Sequence, residues 1–143
     1  MSKTATDEIK IQELLTRAVE EVIDLDHLKE RLLKGEKLRI KLGIDPTSPH
    51  IHIGRAILLW KLRNFQDLGH QAVFIVGDFT GQIGDTSDKD SGRPMLSEEQ
   101  VKQNMKTYFS QAFKILAKSK TETHYNSEWL KKLGFLDIGR MAD

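Results

Sequence analysis

A chain of 143 residues, 38% apolar and 30% charged, is long enough for one compact domain with a buried core, and 22 basic against 21 acidic side chains leave no global field of the kind that gathers nucleic acid. There is no cysteine, which excludes disulfides, thiolate metal sites and cysteine nucleophiles. No apolar run approaches the length of a membrane span and the first residues are polar, unlike a secretion signal, so a cytoplasmic location and no membrane partner are expected.

Ile11, Leu14, Leu15, Ala18, Val19 and Val22 fall at helical spacing, with Glu and Lys on the opposite side, which predicts an amphipathic first helix. Asp26 is placed to cap a second, short helix over Leu28 to Lys34, and Gly35 to end it. Leu38, Ile40, Leu42 and Ile44 then alternate, the pattern of a strand with one buried face. Asp45-Pro46-Thr47-Ser48-Pro49 is turn chemistry, since two prolines fix the chain and remove donors. Helical spacing returns from Ile53 to Leu68, with Gly69 where a left-handed cap is wanted.

The run Ala72-Val73-Phe74-Ile75-Val76 is typical of a parallel strand covered on both faces. Thr80 to Arg93 reads as a polar loop. Ser97-Glu98-Glu99-Gln100 is a capping box opening one long helix, whose buried face includes Val101, Met105, Tyr108, Ala112, Phe113 and Leu116. Thr121 to Tyr125 is a third strand, and Asn126 or Ser127 leads into a helix carrying Trp129, Leu130 and Leu133, with Trp129 read as packing.

Strands alternating with helices in single crossovers predict a parallel α/β sheet over residues 36–143, preceded by a helical segment over residues 1–35. In such sheets the ligand lies beyond the carboxyl ends of the strands. Three polar segments fall there: Asp45 to Arg55, Asp78 to Asp85, and Asn126 to Trp129.

The first of these joins a strand end to a helix start, where free amides and the helix dipole favour phosphate. Gly54 lets a ligand approach the backbone, and His52 and Arg55, three residues apart, share one helical face from which they could hold a polyphosphate. A lone histidine near a helix start is ordinarily a cap, and a first-turn arginine is ordinarily just exposed. The combination of proline turn, histidine, glycine and cation at one strand end is what carries the reading.

The segment from Gly43 to Arg55 resembles the H-I-G-H motif of class I aminoacyl-tRNA synthetases, in the extended form G-x-D-P-T-x-x-x-x-H-x-G-H of bacterial tyrosyl-tRNA synthetases. Phe65-Gln66-Asp67-Leu68-Gly69-His70, Gly77 to Asp85, Arg93-Pro94 and Asn126-Ser127-Glu128-Trp129-Leu130 resemble the same family in its order. The resemblance implies the N-terminal half of a Rossmann-like catalytic domain that activates tyrosine with ATP and passes it to tRNA(Tyr). His52 would contact the ATP phosphates, with Thr47 beside the pyrophosphate and Arg55 on phosphate. Gly43, Asp45, Pro46 and Gly54 would line the ATP site, and Asp85, Asn126 and Lys41 the tyrosine site. It also implies magnesium carried with ATP, no metal held by the protein alone, and a homodimer when full-length. Two departures stand out: Arg55 replaces the motif's second histidine, and Lys41 takes the place where many members have a tyrosine.

The chain is expected to be a fragment of a longer polypeptide, inactive by itself in aminoacylation. A nucleotidylyltransferase of the H-x-G-H type is the nearest rival, but His52 lies six positions after Pro46 and two helices precede the strand, whereas that family has a shorter turn and an opening strand. Tryptophanyl-tRNA synthetases run from proline-threonine to glycine, where this chain has Ser48. A non-catalytic ATP-binding half-domain is the remaining alternative.

Overall fold

The computed structural model describes residues 4–83 and 95–142. Asp85 and Arg93 lie outside the described residues.

Three strands form the sheet: β1 (Arg39–Ile44), β2 (Gln71–Val76) and β3 (Thr121–Tyr125). They run parallel in the order β1-β2-β3, with Ile44 opposite Val76 and Val76 opposite Tyr125. Parallel neighbours need long crossovers. The first is α3 (Ile53–Asp67), and the second is α4 (Glu98–Met105) followed by α5 (Tyr108–Ala112). Two right-handed crossovers advancing the same way put their helices on one face of the sheet. The core reflects this: Ile44, Ala72, Phe74 and Val76 pack with Leu59 and Leu62 of α3, and with Tyr108, Ala112 and Leu116. Side chains alternate along each strand, so Arg39, Lys41, Val73, Ile75, Glu122 and His124 belong to the opposite face. There Arg39 reaches across β2 to Glu122, at 2.5 Å.

The amino-terminal helices α1 (Glu8–Thr16) and α2 (Leu25–Leu33) bury Ile11, Leu14, Leu15 and Leu32 against Leu38 and Leu68. This second cluster sits at the entry to β1 and the end of α3, the pole away from the strands' carboxyl ends. The first helix is shorter than its apolar spacing suggests. It stops at Thr16, Ala18 is left-handed at φ 53°, and Val19 and Val22 are only half-buried. Lys61 of α3 ends it by donating to the carbonyls of Leu14 and Arg17, so a cation from another helix takes the last free acceptors. Burial lowers the Lys61 ammonium pKa.

Asp26 does not cap α2. The helix starts one turn earlier, at a left-handed Asp24 that makes no capping bond, and leaves Asp26 in the first turn. Gly35 closes it at φ 73°.

The predicted long helix is broken at Lys106 and Thr107, although its capping box forms, with Ser97 Oγ accepting from the Gln100 amide at 3.2 Å. No glycine or proline lies at the break. It falls where side chains on both sides of it bond the Pro46–Pro49 turn, so contacts outside the helix set it. The last predicted helix also ends early: α6 (Ser127–Leu130) excludes Leu133, and Trp129 is 42% exposed rather than packed. A further helix, α7 (Phe135–Met141), follows.

Candidate functional site

β1 ends at Ile44, and the chain turns through Asp45 to Ile51 before α3 begins. Pro46 is fully buried, and a Cβ on Gly81 would stand only 3.1 Å from its Cδ. The Asp45 carboxylate accepts from the Thr80 hydroxyl at 2.7 Å. Gly77, at the exit of β2, is required by that contact, because a Cβ there would lie 1.9 Å from Asp45 Oδ1. A carboxylate at the end of one strand is thus pinned to the loop leaving the next.

The pinning continues to the third strand. Asn126, 8% exposed, accepts from the Phe79 amide at 2.9 Å and donates to Thr80 Oγ at 2.7 Å. Asp78 accepts from both the amide and the hydroxyl of Ser127, at 2.9 and 2.6 Å, so it ties the exit of β2 to the start of α6. Burial, and after it the charge of Asp78, raise the Tyr125 phenol pKa. Asp45, Thr80 and Asn126 form one hydrogen-bonded line across the carboxyl ends of all three strands.

His52 is the N-cap residue of α3, exposed, and its side chain makes no capping bond. Its imidazole leans over Gly54, where an added Cβ would meet Cε1 and Nδ1 at 3.2 Å. The space that Gly54 leaves is therefore shared with the motif's own ring. The amides of Arg55 and Ala56 bond His52 O, and those of Ile53 and Gly54 precede the first intrahelical bond. No acidic residue occupies the first turn of α3, so nothing there opposes the positive end of the helix dipole.

Arg55 is engaged inward. Its Nη1 donates to Asp45 O at 2.9 Å and to the Tyr108 hydroxyl at 3.1 Å, and its Nη2 donates to Thr47 Oγ at 2.8 Å. Two of its five N–H groups thus hold the turn and a third holds Tyr108. Thr47 accepts from Arg55, leaving its own hydroxyl proton to donate. A Cβ on Gly43 would meet nothing within 4 Å, which leaves the backbone at the end of β1 open to approach. Lys41 lies exposed on the face opposite the crossover helices, in register with Val73 and separate from the Arg55 cluster.

The structure therefore gathers Asp45, Pro46, Thr47, His52, Gly54 and Arg55 at one strand–helix junction, with Asn126 joined to it through Thr80. It leaves Lys41 apart. Gly77, Thr80 and Tyr108 are the members to which sequence reading gave no role at the site. Their only local signal is a small residue at a strand exit and a polar tip on an otherwise apolar stripe. The donors around the junction are amides, an imidazole, a hydroxyl and a guanidinium, while the nearest carboxylate is already bonded. That inventory suits an anion.

A family described as tRNA synthetases class I (W and Y) matches residues 33–142. A tyrosine–tRNA ligase of Dehalococcoides mccartyi is 53% identical over 135 residues, covering 94% of this chain and 34% of the relative. Those of Oleidesulfovibrio alaskensis and Thermotoga maritima are 51% and 48% identical, over 90% and 94% of the chain. The chain spans about a third of the length of these curated relatives. Among solved structures, tyrosyl-tRNA synthetase complexed with L-tyrosine from Archaeoglobus fulgidus superposes with a TM-score of 0.76 at 22% identity, over 95% of this chain and 40% of that one. The Pyrococcus horikoshii enzyme, also complexed with L-tyrosine, gives 0.65 at 23%, over 90% and 34%. Both likenesses establish the fold.

Proposed function

This chain belongs to the class I tRNA synthetases of the W and Y group, and from that premise we propose that it supplies the ATP-binding half of a tyrosine–tRNA ligase active site. The observation that carries the reading is the junction at the start of α3, where free amides and cationic or hydroxyl donors converge and the first helical turn carries no acidic residue. The proposed chemistry is in-line attack of the tyrosine carboxylate on the α-phosphorus of ATP, which forms tyrosyl-adenylate and releases pyrophosphate. No covalent enzyme intermediate is needed. His52, with the Ile53 and Gly54 amides, would bind the phosphates and take up charge as pyrophosphate leaves. Thr47 would donate its free hydroxyl proton to the same group, and Gly43 and Gly54 would let adenosine lie against backbone.

Arg55 supports the turn that presents these groups, and its remaining N–H groups would face the phosphates. Magnesium fits as a companion of ATP, since the junction offers donors rather than oxygen ligands. Asp85, Asn126 and Lys41 remain our assignments for tyrosine. With Lys41 in place of the phenol-reading tyrosine, an ammonium would face the substrate hydroxyl. In the whole polypeptide the partners would be tyrosine, ATP and tRNA(Tyr), with a second copy as homodimer, in the cytoplasm. No helix among the described residues is long and apolar enough to cross a membrane.

The family match disfavours the nucleotidylyltransferase alternative. Tyrosine-dependent exchange of labelled pyrophosphate into ATP, measured on the polypeptide that carries these residues, tests the reading. Exchange that needs tyrosine supports it. ATP binding by calorimetry without any exchange would leave a non-catalytic nucleotide module instead.

A further inference from the structure

The turn from Asp45 to Ile51 has little hydrogen bonding of its own. Pro46 and Pro49 bring no N–H, and Thr47 N to Asp45 O, at 2.9 Å, is the one backbone bond within it. Three of its carbonyls and the Ile51 amide are met by a single stripe on the second crossover. Asn104 Nδ2 donates to Pro46 O at 2.9 Å. Tyr108 Oη donates to Ser48 O at 2.7 Å. Gln111 Nε2 donates to Pro49 O at 2.9 Å, and its Oε1 accepts from the Ile51 amide at 2.9 Å. Positions 104, 108 and 111 are four and three apart, one face of a helix, even though α4 and α5 are separated by the break at Lys106 and Thr107.

Tyr108 is the centre of the stripe. It is fully buried, and its hydroxyl has both roles filled, giving its proton to Ser48 O and accepting from Arg55 Nη1 at 3.1 Å. Arg55 in turn holds Asp45 O and Thr47 Oγ. The phenol thus grips the turn twice, once directly and once through the arginine that stands where the family motif has histidine. A buried phenol with its hydroxyl bonded on both sides, placed behind a phosphate-facing loop, sets where that loop lies without itself touching a ligand.

The geometry points to Asn104, Tyr108 and Gln111 as positioning residues that fix the Asp45–Ile51 turn, and with it His52, for ATP, Tyr108 acting through Arg55 and Ser48. The inference rests on the ATP-site reading above and adds a support that the sequence motif does not contain. A displacement of about 1 Å in such a loop costs up to about 100-fold in rate.

The test uses Tyr108→Phe, Arg55→Lys and the double variant in the polypeptide that carries these residues. Calorimetric ATP titration is combined with tyrosine-dependent pyrophosphate exchange, resolved into kcat and KM for each substrate. Tyr108→Phe keeps the ring in the core and removes only the grip. It should lower the exchange kcat about 10- to 100-fold while KM for tyrosine stays within about twofold. The double variant should lose less than the product of the two single losses, because the phenol and the guanidinium share one contact. Wild-type kinetics in Tyr108→Phe, or losses that simply multiply, would overturn the proposal.

Should Tyr108→Phe fail to fold, Asn104→Ala and Gln111→Leu, both at half-buried positions, carry the same expectation of a kcat loss. Unchanged kinetics in both would overturn it equally. Wild-type protein that binds ATP but shows no exchange ends the ligase reading alone. The ladder then stands if Tyr108→Phe weakens ATP binding about tenfold and falls if affinity is unchanged. Wild-type protein that binds no ATP ends both.

Discussion

The two ends of α3 are built on opposite terms. At its start, His52 makes no capping bond, the first amides have no intrahelical partner, and Ile53 is 83% exposed. At its end, Gln66 is buried and gives its amide protons to Ala117 O, Lys120 O and Thr121 Oγ, while its oxygen accepts from the Ala117 amide. Gly69 then turns the chain at φ 100°, and His70, fully buried, accepts from the Leu38 amide. The helix is saturated by Gln66 where it is anchored, although His70 Nε2 just beyond it has no partner, and it is left open where a ligand would complete it. Stability and binding capacity are thus separated along a single element, and each end should fail in its own assay.

The largest effect that would break this contrast is expected at the open end. His52→Ala should lower tyrosine-dependent pyrophosphate exchange by about 100- to 1000-fold. The ring is exposed and makes no capping bond, so the thermal midpoint should hardly move. A matching collapse of thermal stability would make His52 a structural cap and remove the contrast. Next comes the saturated end. Gln66→Leu takes their side-chain partner from the part-buried Lys120 carbonyl and Ala117 amide, and should cost about 2–3 kcal/mol in denaturant unfolding. At a temperature where the variant is folded, its ATP affinity should match the parent's. Weakened ATP binding there would mean that the two ends are coupled.

The smallest effect sharpens the picture through pH. Burial lowers the His70 pKa below its ordinary value near 6.5. Below that pH the unfolded chain takes up a proton that the folded one refuses, so stability is whole above about pH 6.5 and declines as pH falls. Glu30, Glu98, Glu122 and Glu128 are lowered from 4.5 by their hydrogen-bonding partners, so their contribution is lost only at more acid pH. His70→Asn keeps an acceptor for the Leu38 amide and should flatten the fall of the unfolding midpoint below about pH 6.5. A slope that survives the substitution would place the titration elsewhere.

Much of the fold is written in local patterns. The strand alternation from Leu38 to Ile44, the continuous apolar run of β2, the Ser97 capping box and the glycines after α2 and α3 each depend on residues within one turn or one pleat of each other. The turn and the helix start that carry the motif are equally local, so sequence alone finds the junction. It finds neither the length of α1, which a lysine of α3 decides, nor the break after Met105.

Within the site, sequence supplied the residue types and the tertiary structure decided their tasks. Read in isolation, Arg55 is a phosphate-binding cation; folded, three of its donors go to Asp45, Thr47 and Tyr108. Asn126 reads as a pocket residue, yet its amide bonds Phe79 and Thr80. Tyr108 reads as core, and its hydroxyl reaches the turn from 60 residues away. Helical and strand periods are properties of neighbours in the chain. The partner of a buried polar atom depends on which strand and which crossover lie beside it, and a chain acquires that information only when its sheet has formed.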